Sequence, residues 1–138
     1  RARHGWFADR YGRYLKDNKP GVKVSAAVPH PGDLVQGLRA IEEGFIPPVL
    51  DESVLDGRIV VDSVSSFAMT KELMQKEAIF AGISAGAVTR VALKVAARME
   101  SGNVVALLAD GGWKYLSTEL WSRDYAETPE ETQGTIWW

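Results

Sequence analysis

Ser84 is the one hydroxyl in Ala81-Gly82-Ile83-Ser84-Ala85-Gly86-Ala87, a stretch of mostly small residues that lets the backbone turn sharply and approach another group closely. Gly82 and Gly86 flank it in a G-x-S-x-G arrangement, the pattern in which a serine on a strand-to-helix turn acts as a nucleophile. An unassisted hydroxyl is a poor nucleophile near neutral pH, so that chemistry needs a histidine base following the serine in the chain. The two histidines, His4 and His30, both precede Ser84. A serine hydrolase built on Ser84 is therefore a remote alternative. The other use of a hydroxyl here is as a hydrogen-bonding group at the head of a helix, as N-cap or as ligand partner, where free backbone N–H groups gather. A second turn, Asp110-Gly111-Gly112, brings a carboxylate and two glycines; Asp110 either caps the helix that follows or joins the Ser84 site. With no cysteine and only those two histidines, a protein-ligated metal is not expected.

The elements around these turns follow from periodicity. Phe7, Tyr11, Tyr14 and Leu15 recur at i, i+4, i+7 and i+8 before Pro20-Gly21, which predicts an amphipathic helix over about 7–18. Residues 22–28 are β-rich and end at Pro29-His30-Pro31-Gly32. Residues 33–57 suggest a helical turn or two, then an irregular loop through Gly44-Phe45-Ile46-Pro47-Pro48. A second strand, 58–62, leads through an Asp62 or Ser63 cap into a helix to about Glu77, with Val64, Phe67, Ala68 and Met74 on one side and a Glu72–Lys76 pair. After Ser84, the spacing of Val88, Val91, Ala92, Val95 and Met99 predicts a long buried helix ended by Gly102. Val104-Val105-Ala106-Leu107-Leu108 reads as a strand covered on both faces. Strands alternating with helices predict an α/β fold, three layers αβα around a mainly parallel sheet, with Ser84 and Asp110 both on the carboxyl rim where such sheets bind ligands.

The totals narrow the class. A chain of 138 residues fits one domain. Sixteen basic and eighteen acidic residues leave a net charge of −2 without a basic block, so nucleic acid is not an expected partner. No run of 18 apolar residues appears, so no membrane partner is expected either. The absence of cysteine suits a reducing compartment, and a cytoplasmic location is expected.

Ile79 to Ala87, followed some twenty residues later by Leu108-Ala109-Asp110-Gly111-Gly112-Trp113-Lys114-Tyr115-Leu116-Ser117-Thr118, resembles the carboxyl-terminal half of the cysteine synthases, in which a G-I-S-x-G-A turn and a Y-L-S-T segment recur. The likeness extends upstream through Gly12-Arg13-Tyr14-Leu15-Lys16, Pro20-Gly21-Val22-Lys23-Val24, Gly37-Leu38-Arg39 and Glu43-Gly44-Phe45-Ile46-Pro47, and so covers nearly the whole chain. It implies a partial tryptophan-synthase-β-like fold (fold type II), with residues 1–138 a single domain, tail 113–138 included, of a pyridoxal-5′-phosphate enzyme. The implied reaction is β-replacement on O-phosphoserine or O-acetylserine with a sulfide donor to make cysteine. By resemblance, Ser84 hydrogen-bonds the pyridine nitrogen of the cofactor, Gly82 and Asp110 lie beside the same ring, and Arg39 meets the substrate phosphate. The neutral hydroxyl of Ser84 does not force that nitrogen to be protonated, which suits β-elimination and β-replacement. The guanidinium of Arg39 offers a fork matched to phosphate. The tail Gly134-Thr135-Ile136-Trp137-Trp138 is similar to the short tail of the phosphoserine-type enzymes.

The resemblance also implies parts that these residues do not supply. The Schiff-base lysine and the loop that grips the substrate carboxylate belong to an amino-terminal half, and none of Lys16, Lys19, Lys23, Lys71, Lys76, Lys94 and Lys114 lies in a matching context. Where the family carries a Gly/Thr-rich phosphate loop, this chain reads Arg3-His4-Gly5-Trp6-Phe7, and Val28 replaces an acidic residue. No catalytic residue is thus assigned, and the isolated chain is expected to be inactive. Its expected partners are a small amino-acid substrate and a missing amino-terminal half or complementing subunit, with a homodimer as an open assembly. The alternative is a non-catalytic binding or regulatory remnant of the fold.

Overall fold

The structure, a computed structural model, describes residues 3–30, 33, 38, 51–118 and 121. Helix α1 spans Arg3–Asn18, starting earlier than its periodicity suggests, and closes where Asn18 Nδ2 donates to the Tyr14 carbonyl at 2.7 Å just before Pro20. Three residues of its expected apolar side are not on its packing side. Tyr11, Tyr14 and Leu15 are exposed, and α1 instead lays Gly12 against Val54 and Val24, where a Cβ would overlap the Val54 side chain.

Strand β1, Ser25–Pro29, pairs in parallel with β2, Gly57–Val61, in the register Ser25↔Gly57 to Pro29↔Val61. The expected strand over 22–28 starts late because Asp56 takes the Val24 backbone. Its Oδ2 accepts the Val24 N–H at 2.8 Å and its own N–H donates to the Val24 carbonyl at 2.7 Å. A 3₁₀ turn at Glu52–Val54 precedes β2, begun by Asp51 Oδ1 accepting the Ser53 N–H at 2.9 Å. Arg13–Asp51 and Arg58–Glu52 ion pairs brace it. Of the helical turn or two expected around Leu34, Val35 and Leu38, only Leu38 is described, and the loop at 44–48 lies outside the described residues.

Helix α2, Ser63–Glu77, is capped by Asp62, whose Oδ1 accepts the Ser65 N–H at 2.7 Å. Asp33 Oδ2, from the loop after β1, also holds the Ser63 N–H at 2.7 Å. The buried face of α2 is Ser66, Phe67, Met69, Thr70 and Leu73; Val64 and Ala68 point to solvent. Within this face Ser66 and Thr70 lie where Gly86 approaches so closely that a Cβ on it would overlap both residues. The helix ends at Ala78 in the left-handed region (φ 56°), its N–H returned to the Met74 carbonyl at 3.1 Å.

Helix α3, Ile83–Ala96, lies on both strands and on α2. Its residues Ile83–Ala87 and Val91 are buried, whereas Leu93 and Met99 are exposed, and the helix stops at Ala96 rather than continuing to Gly102. The main core joins Val61, Phe67, Ile83, Ala87 and Val91, and a smaller one joins Leu73, Ala81 and Ala85 with Leu108. Residues 104–108 depart from expectation: they form no strand, and Val105 is 92% exposed. An apolar run needs ladder partners to become a covered strand, and among the described residues none is offered. The fold is α/β with parallel strands, and the sheet of the described residues has two of them. No described helix is long and apolar enough to cross a membrane.

Candidate functional site

Two turns distant in sequence are sewn together at the head of α3. Gly82 N donates to the Asp110 carbonyl at 3.0 Å, Gly112 N donates to the Phe80 carbonyl at 3.1 Å, and Ala81 and Gly111 form an antiparallel bridge. The approach depends on missing side chains. A Cβ on Gly82 would overlap the Asp110 carboxylate and come within 2.7 Å of the Tyr115 ring, and one on Gly112 would come within 2.6 Å of the Phe80 ring.

Ser84 sits in the first turn of α3 but is not its cap. Gly82 holds the N-cap position with extended backbone and no side-chain cap bond, which leaves Ser84 as the second helical residue. It is 1% exposed and flanked by buried Ile83, Ala85, Gly86 and Ala87. From α2, Thr70 Oγ1 donates to the Ser66 carbonyl at 2.7 Å and lies 3.3 Å from the Ile83 carbonyl, next to Ser84. The helix head is therefore held from two sides, by α2 and by the 110–112 turn.

Asp110 does more than turn the chain. Its Oδ2 accepts the Tyr115 hydroxyl at 2.9 Å and lies 3.6 Å from Lys114 Nζ. Its Oδ1 is buried without a hydrogen-bond partner among the described residues. Burial, and then the adjacent Asp110 carboxylate, push the Tyr115 hydroxyl above its ordinary pKa, so it stays a neutral donor. Instead of serving chiefly as a helix cap, Asp110 is locked by a residue five positions downstream.

Of the site residues expected from sequence, Gly82 and Asp110 are in direct contact and Ser84 lies two residues into the same turn. Arg39 and the 134–138 tail lie outside the described residues; neighbouring Leu38 packs partly buried against the Val61 core. Tyr115 and Thr70 were not singled out by residue type. Tyr115 belongs to the Y-L-S-T segment, which was the available signal, whereas nothing in the sequence marks Thr70 as the tie between α2 and Ile83.

A flat heteroaromatic cofactor can be tested against this geometry. A neutral hydroxyl in the first turn of a helix and a carboxylate with one oxygen buried without a partner among the described residues are polar groups of the kind that the ring end of pyridoxal phosphate hydrogen-bonds. The residues present fit that end of the group. A covalent attachment is another matter, because among the described residues the one lysine at this turn, Lys114, is oriented on the Asp110 carboxylate.

No family model matches the chain. It is 37% identical over 116 residues to the cysteine synthase of Aquifex aeolicus (strain VF5), a match covering 80% of this chain and 36% of that protein. It is 38% identical over 117 residues to the O-ureido-L-serine synthase of Streptomyces lavendulae, covering 79% of this chain and again 36% of the relative. Among solved structures, O-acetyl serine sulfhydrylase isoform 3 from Entamoeba histolytica superposes with a TM-score of 0.74 at 29% identity, over 81% of this chain and 36% of that one. The chain thus spans about a third of the length of the relatives it matches.

Proposed function

For a chain homologous to one part of the cysteine synthases, we propose that residues 1–138 form a single carboxyl-terminal domain of a pyridoxal-phosphate-dependent enzyme that makes cysteine. In that reaction the C–O bond to the phosphate of O-phosphoserine, or to the acetate of O-acetylserine, breaks, and a C–S bond to sulfide forms. When bound, the cofactor supplies the electron sink for this β-replacement. Ser84 would meet the ring nitrogen with a neutral hydroxyl, leaving its protonation unforced. Gly82 lets the Asp110 carboxylate and the Tyr115 ring close in beside the turn, and Asp110, steadied by Tyr115, would line the same edge. Arg39 would pair with the departing phosphate as a charge-assisted fork. What supports this reading most is the Gly82–Asp110 seam, which joins the two segments of the sequence likeness at the buried Ser84.

Because no lysine lies in a matching context, the isolated chain is inactive in this reading. Pyridoxal phosphate added to the purified chain should leave its absorbance unshifted. Co-expression with the amino-terminal portion of the Aquifex aeolicus cysteine synthase should produce a shift and sulfide-dependent cysteine formation. Arg39→Ala in that pair should abolish use of O-phosphoserine while sparing O-acetylserine. Cysteine formation by the chain alone would sink the inactivity, and none from the pair would sink the enzymatic reading. In a second reading, a non-catalytic binding module, the pair forms without turnover.

A further inference from the structure

Asp110 Oδ2 is claimed by two groups. The Tyr115 hydroxyl donates to it at 2.9 Å, and Lys114 Nζ lies 3.6 Å away. The two claims differ in kind. Tyr115 is half-buried, packed against the core of Val61, Phe67 and Ile83 and beside Gly82, so its hydroxyl holds the carboxylate from within the fold. The Lys114 side chain is 44% exposed, and an ammonium is strongly hydrated, so its hold is from the solvent side. Asp110 Oδ1 lies where a Cβ on Gly82 would be, buried with no hydrogen-bond partner among the described residues. An unpaired buried carboxylate oxygen gains free energy by turning toward water, so this orientation persists only while the other oxygen is held inside. One term favours it: Gly82 is the N-cap of α3, and a negative charge beside it rests at the positive end of the helix dipole.

We propose that Tyr115 is a positioning residue for the cofactor site, its hydroxyl keeping the Asp110 carboxylate turned in on the head of α3 against the draw of Lys114 toward solvent. The inference rests on the reading of this helix head as the ring end of a pyridoxal-phosphate site. It adds to that reading a residue and a direction of action. A carboxylate held at the end of α3 takes the place where an anionic group would otherwise gather, so the head of the helix is kept for a neutral or protonated ring edge rather than for a phosphate. Without the hydroxyl the carboxylate turns out to Lys114, and the ring edge loses its acceptor.

The first test uses the full chain, isotope-labelled at its aspartate carboxyl carbons, with the Asp110 resonance assigned by its loss in Asp110→Asn. A neutral, soluble paramagnetic chelate should leave that resonance sharp in the parent chain and broaden it in Tyr115→Phe. Adding Lys114→Gln to Tyr115→Phe should sharpen it again, because the outward draw is gone; mere loosening of the fold predicts no such rescue. The second test loads pyridoxal phosphate onto the chain co-expressed with the amino-terminal portion of the Aquifex aeolicus cysteine synthase and follows cofactor release, at a temperature where the variants stay folded. Tyr115→Phe should speed release roughly tenfold and have no further effect in the Asp110→Asn background, as expected of a residue that acts through Asp110. A resonance that stays sharp in Tyr115→Phe, or broadening that Lys114→Gln does not reverse, would overturn the positioning role. So would release indifferent to Tyr115→Phe in a pair that holds the cofactor. A pair that never takes up the cofactor would instead reject the cofactor-site reading, and the role of Tyr115 in it.

Discussion

At the scale of single residues, the head of α3 is organised by what is absent as much as by what is present. Gly82 has no Cβ, and the space is taken by the Asp110 carboxylate and the Tyr115 ring. The Tyr115 hydroxyl then donates to Asp110 Oδ2 at 2.9 Å, leaving Oδ1 buried without a partner. Removing the donor leaves the second oxygen without it as well, so Tyr115→Phe is expected to lower stability by about 1–3 kcal/mol. Equilibrium urea unfolding measures this, and a midpoint equal to that of the parent chain would show that the bond carries no weight. Because burial raises the Tyr115 pKa, the donor is present throughout the neutral range, and its contribution should not vary with pH there.

At the scale of elements, α2 and α3 meet across Gly86. A Cβ there would overlap the Ser66 carbonyl and the Thr70 hydroxyl, both at the buried contact, so Gly86→Ala must push the helices apart or expel Thr70 from its bond. The expected loss is roughly 1–3 kcal/mol, despite the better helix propensity of alanine. Retained or increased stability in a thermal melt would contradict the close packing. A second element-level tie is Asp56, which joins α1 to the entrance of β1. The Val24 N–H, then Lys16, hold its carboxyl well below the ordinary 3.8, at about 2. A carboxyl whose folded pKa is depressed stabilises the fold fully above its unfolded pKa and loses that contribution as pH falls toward the folded value. Stability should therefore decline between about pH 4 and pH 2, and Asp56→Asn should flatten that part of the profile. An unchanged acid profile in the variant would assign the decline to other groups.

At the scale of the whole molecule, apolar surface is left uncovered on several elements: Tyr14 and Leu15 on α1, Leu93 on α3, Val105 and Leu107 after it, and Trp113 and Leu116 in the 3₁₀ segment Gly112–Thr118. Exposed large apolar side chains offer surface to a hydrophobic dye. The isolated chain should accordingly enhance the fluorescence of a hydrophobic dye in native buffer, and the enhancement should fall on complex formation; a dark dye would mean that these faces are covered in solution. The amino-acid sequence by itself determined the local structure of this protein. Proline, glycine and capping aspartate set the ends of α1, β2 and α2, and the small residues around Ser84 announced a turn of close approach, because such preferences act within a few residues of the chain. The likeness of two separated segments also pointed to Ser84, Gly82 and Asp110 together, and the turns that carry them are in contact. Tertiary structure alone decided which faces are buried. The apolar pattern of α1 and of 104–108 promised burial that did not occur, since periodicity encodes a face but not the partner that covers it. Only the folded chain could show that Gly82, and not Ser84, caps α3, that Tyr115 locks Asp110, and that Ser66 and Thr70 line the α2–α3 contact, because each depends on backbone distances set by residues remote in sequence.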